Sequence, residues 1–399
     1  YAAGSLLAMG TQALIAGKPK IATLFTPGER SALHHFAAVR DAVVAVVQDE
    51  KGQRLREWRM KGGRWVARDL PSQGALTLGV RAMDGSASDR YWLTRTGFLQ
   101  PSELLVARAG SNRPASIQRL PELFDASGLQ VQRLATTAAD GTRIPYWLVQ
   151  PKGQMPAGGR PTLLYGYGGF EISLNPSYSG ILGRAWLSQG GAYVVANIRG
   201  GGEFGPRWHQ SAQKEHRQRS FGDFIAVAED LQRRGLTTPR QLGILGGSLG
   251  GLLTSVAMVQ RPELFGAVVS QVPLTDMRRY HRLLAGHSWI AEYGDPDIPA
   301  EWEYIKAYSP YQQAKARTAA PYPPVLYTSS TLDDRVHPGH ARKMVARLQE
   351  LGQPVWYWEN REGGHAGASD LGKMALMWAI SYRFLQQQLM TQPQATAAK

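Results

Sequence analysis

The 399-residue sequence contains no cysteine. Disulfide frameworks, thiolate nucleophiles and cysteine-ligated metal centres are therefore excluded. That absence does not distinguish cytoplasm from periplasm. Long apolar runs are also lacking: no stretch reaches the roughly 20 residues that a membrane-crossing helix needs, so no membrane partner is expected. The sequence starts at Tyr1, and Ala2–Ala16 is only mildly apolar. No basic stretch precedes that segment and no small-residue cleavage site follows it, so it reads as chain entered part-way rather than as a leader. The glycine run Gly200–Gly202 has no Gly-Lys-Ser/Thr ending, which removes the phosphate-cradling reading. No His/Asp/Glu grouping has the spacing of a metal site. Neither a metal nor a cofactor is expected.

Positive charge is in excess, with 45 Lys and Arg against 31 Asp and Glu and a net charge of +14. The basic residues are scattered. The densest groups, Arg54–Arg64 and Lys214–Arg219, lack the interleaved aromatic residues on which bases would stack. The excess reads as a solvated surface with a general attraction for acidic peptides, without a nucleic-acid partner. Hydrophobic content of 43% and charged content of 19% are those of a soluble globular protein. The length suits about two domains.

The two halves follow different patterns. Residues 1–120 are β-rich: Ala42–Gln48 and Arg54–Arg59 flank the turn residues Asp49-Glu-Lys-Gly52 as a hairpin. Ala75–Val80, Arg90–Arg95 and Glu103–Arg108 continue at short spacing, with no helix-period segment between them. This spacing suits propeller blades, a sandwich or a barrel. At about 40–50 residues per blade, the region has room for about two or three. Residues 121–399 alternate strand and helix and predict a parallel sheet covered on both faces. Pro161–Tyr165, Ala192–Asn197, Gly266–Ser270, Pro324–Thr328 and Pro354–Trp358 read as strands. Phe221–Leu231, Ala341–Leu351 and Leu371–Leu389 read as helices, and the Gln- and Ala-rich tail after Met390 as frayed.

The most informative segment is Gly246-Gly-Ser-Leu-Gly-Gly251, between the apolar run Leu242–Leu245 and the helix-like Leu252–Val259. A serine on such a strand–turn–helix bend is lifted clear of both elements, as in the nucleophile elbow of an α/β-hydrolase. The glycines allow the sharp bend and the close approach of strand and helix. In open α/β sheets, ligands collect beyond the carboxyl ends of the strands. Three polar groups follow predicted strands there: Ser248, then Asp333 with Asp334, then His365. Serine, acid, histidine is the chain order of hydrolase triads. Spacing alone leaves both aspartates open. Ser248 would attack a carbonyl, His365 would carry its proton to the leaving group, and the acid would fix the imidazole tautomer. The other histidines precede the acid or, like His337 and His340, crowd it, and read as structural. The backbone N–H of Leu249 is placed by the elbow to receive the oxyanion. A second donor is expected from Tyr165–Phe170, which directly follows a strand.

Several long blocks in one order carry a resemblance: Leu164–Phe170, Ala196–Gly205, Gly246–Gly251, His287–Gly294 and Asp333–Val336. Together they resemble the prolyl oligopeptidase family of serine peptidases over roughly residues 130–390. The resemblance implies an α/β-hydrolase domain, preceded by a β-rich region like the last blades of a larger propeller. It assigns Asp333 to the triad and the Tyr167 hydroxyl to the oxyanion site. Trp289, Phe170 and Tyr293 would line the pocket for the residue before the cut bond, where an indole face suits a pyrrolidine ring. Arg335 would bind a substrate backbone carbonyl. The implied function is a serine endopeptidase that hydrolyses short peptides after proline through an acyl-enzyme. Where the family carries asparagine after the nucleophile, this sequence has Leu249. The donor there is a backbone N–H, so the chemistry is retained while preference around the bond can shift. Two rival readings share these motifs: a related oligopeptidase that cleaves after a basic residue or releases dipeptides, and an inactive, truncated binding fragment. An aromatic pocket argues against the first, and the intact triad against the second.

Overall fold

The computed structural model describes residues 1–71, 74–365 and 368–390; the tail expected to fray lies outside them. The chain forms two compact units. The first comprises residues 1–123, 173–180 and 201–210, and the second 124–172, 181–200 and 211–399.

The first unit is built from two antiparallel meanders and a small ribbon. The ribbon pairs β1 (Leu6–Ala8) with β2 (Ala22–Phe25). One meander runs β3 (Ser31–Val39), β4 (Ala42–Asp49), β5 (Gly52–Lys61) and β6 (Arg64–Asp69). The other runs β7 (Leu76–Ala82), β8 (Arg90–Gly97), β9 (Glu103–Arg108) and β10 (Ala115–Arg119). Each is a four-stranded sheet of nearest neighbours, the form of a propeller blade. Ala42–Gln48 is apolar on both faces because both are covered. Alternate residues Val44 and Val46 meet Leu78, Tyr91, Leu93 and Leu105 of the second meander, while Ala45 and Val47 meet Leu6 and Phe25 of the ribbon. One helical turn, Thr11–Ile15, lies between the two strands of the ribbon and buries none of its residues, and no helix interrupts β3 to β10 among the described residues.

The second unit contains an eight-stranded sheet in the order β11-β12-β14-β13-β15-β16-β17-β18. Its strands are β11 (Leu129–Thr137), β12 (Arg143–Pro151), β13 (Thr162–Tyr165), β14 (Ala192–Ala196), β15 (Leu242–Gly247), β16 (Ala267–Gln271), β17 (Val325–Ser330) and β18 (Val355–Asn360). The expectation of a parallel sheet needs one correction. β11 and β12 are antiparallel to each other, and β12 is antiparallel to β14. A tight turn at Ala138–Thr142, with Gly141 at φ 83°, folds β11 directly back onto β12. Too few residues lie there for the helical crossover that parallel strands require. From β14 to β18 all pairs are parallel. β16 and β17 are buried at every position, which is why they read as continuous apolar runs.

Helices cover the sheet. Gln218–Arg233 and Leu249–Gln260 pack on each other and on the sheet, and Leu371–Leu389 packs on β15 and β16. The pleat turns Gly243 toward Leu385 and Leu389 of the last helix and its neighbours the other way. With three-layer packing and six parallel strands ending on one edge, this is an α/β-hydrolase fold. No helix among the described residues is long and apolar enough to cross a membrane.

His340, in the helix Gly339–Glu350, is buried, and its Nδ1 accepts the backbone N–H groups of Thr275 and Asp276. Burial lowers its pKa from 6.5 to about 4, and desolvation lowers His34 of the first unit to about 4 as well. Below pH 6.5 the unfolded chain therefore binds protons that the folded chain refuses. Stability is fully present above pH 6.5 and falls as the pH drops toward 4. Urea unfolding at stepped pH should show the midpoint declining through this window. His340→Gln, which cannot take up that proton, should show a shallower decline than wild type.

Candidate active site

The elbow forms as its glycines require. Ser248 follows β15 and precedes the helix Leu249–Gln260 with φ 58° and ψ −119°, a region that side-chain-bearing residues rarely enter. A Cβ on Gly246 would lie 2.3 Å from the Gly250 carbonyl oxygen, and one on Gly251 would lie 2.7 Å from the Pro273 Cβ. Larger residues at either position would push strand and helix apart. The turn is tied to β16 by the Ser248 N–H donating to Gln271 O at 2.8 Å. Behind it, the Ser270 hydroxyl donates to Gly251 O at 2.9 Å, within a buried hydroxyl cluster that includes Ser255 and Tyr327.

The acid and the histidine are organised by the loops after β17 and β18. Asp333 is buried, and its Oδ1 accepts the N–H groups of Arg335 (2.9 Å) and Val336 (2.8 Å). Its two oxygens lie 3.0 and 2.8 Å from His365 Nδ1. A carboxylate can only accept, so the ring proton sits on Nδ1 and Nε2 is left as the base. Asp334 does different work: its Oδ1 accepts the backbone N–H of His365 at 3.3 Å. The two loops are joined further by Thr331 N–H to Asn360 O (2.8 Å) and by the Ser330 hydroxyl to Gly363 O. Two carboxylates that spacing left equivalent are thus separated, one on the ring and one on the backbone.

The oxyanion candidates flank the serine. Leu249 opens the helix, so its N–H is one of the donors that a helix start leaves without an intrahelical partner. Its buried side chain packs where a Cβ on Gly169 would stand, 2.3 Å from its Cδ1. Tyr167 follows β13 and contacts the Ser248 side chain. Burial raises the Tyr167 pKa above its ordinary value, partly offset by Ser248 and by the nearby charge of Arg335, and the phenol remains a neutral donor. Arg335 is exposed, and its carbonyl accepts the N–H of Ala285 in the pocket segment at 3.3 Å.

Two of the three pocket aromatics also meet. The Phe170 and Tyr293 rings meet edge to face at 5.8 Å, and Tyr280 meets the other side of Tyr293 at 5.4 Å. Trp289, 8% exposed, stands four residues before Tyr293 where one helical turn joins the next. Among the described residues no hydrogen bond joins Ser248 to His365. Such contacts are often long before substrate binds and tighten with it.

Sequence reasoning missed two groups beneath this site. Arg217 was counted in a surface basic cluster, and Glu292 passed unremarked inside an aromatic motif. Both are buried and they form an ion pair. Arg217 stands four residues before Phe221, on the stripe that Phe224, Ala228 and Leu231 continue, and that helical spacing is the signal of its burial. His281, Asp295 and Asp297 also approach one another, with potential ligand atoms within 4.8 Å. Their charge is already engaged: His281 Nε2 (2.9 Å) and Arg282 (2.8 Å) both bond Asp297 Oδ2. A cavity of about 530 Å³ lies elsewhere, in the first unit, between Val80, Arg81, Trp92, Thr94 and Leu104. It contains none of the site residues.

Residues 177–392 match the model of the prolyl oligopeptidase family. An uncharacterized peptidase of Sinorhizobium fredii is 43% identical over 97% of this chain and 53% of its own length. The prolyl endopeptidase of Elizabethkingia meningoseptica is 37% identical over 78% of this chain and 42% of its own. The solved structure of a post-proline cleaving enzyme from Rickettsia typhi superposes with a TM-score of 0.88 at 37% identity, covering 97% of this chain and 56% of that one. The chain thus spans about half the length of the curated relatives it matches.

The different duties of the two aspartates can be separated by substitution. Asp333→Asn should slow acylation of Ser248 by a fluorophosphonate by about 10³–10⁴-fold, since an amide favours the wrong imidazole tautomer. Asp334→Asn, which retains an acceptor for the His365 N–H, should cost less than about tenfold. Labelling rates at pH 7.5 decide between them.

Proposed function

Because the chain belongs to the prolyl oligopeptidase family, we propose that it is a serine endopeptidase that hydrolyses short peptides on the carboxyl side of proline. The observation that carries this reading is the pairing of His365 Nδ1 with the buried Asp333 carboxylate at 2.8 Å, together with a serine at positive φ on a strand–helix turn. Ser248 Oγ attacks the scissile carbonyl carbon as its proton passes to His365 Nε2. The oxyanion is received by the Leu249 N–H and the Tyr167 hydroxyl. His365 then delivers the proton to the leaving nitrogen, the C–N bond breaks, and the acyl group stays on Ser248. Water repeats the sequence in reverse, losing a proton to His365 and releasing the acid. Asp333 stays ionised throughout and stabilises the imidazolium.

Specificity is assigned to Phe170, Trp289 and Tyr293. A prolyl side chain is flat and apolar, and its nitrogen carries no hydrogen, so an aromatic slot suits it. Arg335, exposed beside Tyr167, is assigned to a carbonyl of the substrate one residue further from the cut. The names of the Elizabethkingia and Rickettsia relatives favour post-proline cleavage over cleavage after a basic residue, since a basic side chain would need a carboxylate in the slot. Glu292, which accepts the N–H of Phe170, is already paired with Arg217.

Turnover of blocked Gly-Pro and blocked Arg chromogenic substrates by the purified chain tests the reading directly. Gly-Pro should be preferred by at least about 100-fold, the discrimination that a lost shape-matched pocket contact allows. Comparable rates, or none on Gly-Pro, would overturn it. Trp289→Ala should reduce kcat/KM on Gly-Pro far more than it slows fluorophosphonate labelling. Equal losses would make Trp289 a packing residue.

A further inference from the structure

Arg217 and Glu292 are among the most deeply buried charges in the molecule, with side chains 1% and 4% exposed. Burying such a pair costs desolvation that its mutual attraction only partly offsets, so the pair is poorly explained as a source of stability. Its remaining bonds are specific. Arg217 Nη1 donates to the carbonyl oxygen of Gly168 at 2.5 Å. Glu292 Oε1 accepts the N–H of Phe170 at 3.0 Å. Between them, a Cβ on Gly169 would stand 3.0 Å from Glu292 Oε1 and 3.2 Å from Arg217 Nη1, so the backbone lies directly on the pair. The guanidinium also sits over the Tyr293 ring, 5.3 Å from its centre.

The gripped stretch is the one that carries both jobs assigned to this loop. Tyr167 immediately precedes it and faces Ser248; Phe170 ends it and meets Tyr293. The stretch also needs holding, because Phe170 and Glu171 have φ of 54° and 56°, consecutive left-handed positions without glycine. Such residues persist only where surrounding contacts over-determine them.

We propose that the Arg217–Glu292 ion pair is a positioning element: it fixes the loop Gly166–Phe170 so that the Tyr167 hydroxyl and the Phe170 ring are set together, linking oxyanion stabilisation to the proline slot. The proposal rests on the peptidase reading above, and neither residue touches substrate. A pair that only held the fold together would act on stability and not through Tyr167.

A double-mutant cycle separates these roles. Arg217→Met/Glu292→Leu removes both charges, so neither is left buried alone. Arg217→Lys is the milder variant, which retains charge but loses the fork that reaches Gly168 and Glu292 at once. Each is made in the wild-type and the Tyr167→Phe background. The readouts are kcat and KM on blocked Gly-Pro substrate, the rate of Ser248 labelling by fluorophosphonate, and the urea midpoint. In the wild-type background, kcat and the labelling rate should fall by about 10- to 100-fold, approaching the loss of one oxyanion donor. In the Tyr167→Phe background the same change should cost less than about threefold, because the group being positioned is gone. Equal losses in both backgrounds, or unchanged rates with a lowered midpoint, would overturn the proposal. If wild type fails to turn over Gly-Pro substrate, the peptidase reading fails; the labelling cycle still decides the role of the pair.

Discussion

Ser248 is held at φ 58°, ψ −119°, and the geometry of the site depends on that constraint. The conformation is costly for any residue with a side chain. It is maintained from three sides: by the strand that ends in it, by the helix that begins after it, and by the N–H bond to Gln271 O on β16. Glycines at 246 and 251 let strand and helix close to distances that a Cβ would forbid. Once the serine is fixed above the carboxyl edge of the sheet, the order of parallel strands brings the loops after β17 and β18 to the same edge. Asp333 and His365 are adjacent because their strands pair, in register from Val325–Val355 to Ser330–Asn360. The Asp333–His365 pair, on which the proposed proton line rests, is thus a consequence of sheet topology as much as of side-chain chemistry.

Strain elsewhere follows the same logic. The described non-glycine residues with positive φ are Phe170, Glu171, Lys214, Ser248, Val272 and Leu284. All lie in the second unit, on the loop after β13, the segment leading to Arg217, the elbow, the end of β16 and the pocket segment. For a β-branched residue such as Val272, at φ 38°, the conformation is exceptional. Strained backbone concentrated around one edge of one sheet is what a pre-organised site requires, and buried charge accompanies it. Arg217 and Glu292 each direct a hydrogen bond to a backbone group of the strained loop, beside their bond to one another and the bond that Gln213 donates to Glu292. Arg199 and Asp223 form a second buried pair, with Arg199 also reaching Asp140, where β14 gives way to the next loop. Both buried ion pairs thus bear on loop geometry at the ends of β13 and β14.

Legibility in the sequence followed the range of the interactions. The elbow was readable because its determinants lie within six residues: glycines where strand and helix must touch, and a serine between them. β15, β16 and β17 were readable because burial on both faces leaves apolar runs, and β18 and the last helix because their apolar residues are dense although partly exposed. β11 and β12 were not, since β11 mixes buried and half-exposed positions and the two are joined by a hairpin that no βα alternation signals. The choice between Asp333 and Asp334 could not come from spacing, because the residues differ by one position and are separated only by the direction in which the loop turns. Arg217 was misread because a short basic run looks solvated. Its burial depends on Glu292, 75 residues away, and on a loop a further 49 residues from Arg217 in the opposite direction. Contacts of that range have no local signature beyond the helical stripe.

The central claim is that Ser248, His365 and Asp333 act as one proton-transfer unit. The most direct measurement is peptide mapping by mass spectrometry after fluorophosphonate treatment of the 399-residue chain, followed from pH 5 to 9. The account predicts a single adduct on Ser248, absent from Ser248→Ala and slowed by orders of magnitude in His365→Gln. An adduct on another residue, or labelling of Ser248 that His365→Gln leaves unchanged, would contradict it.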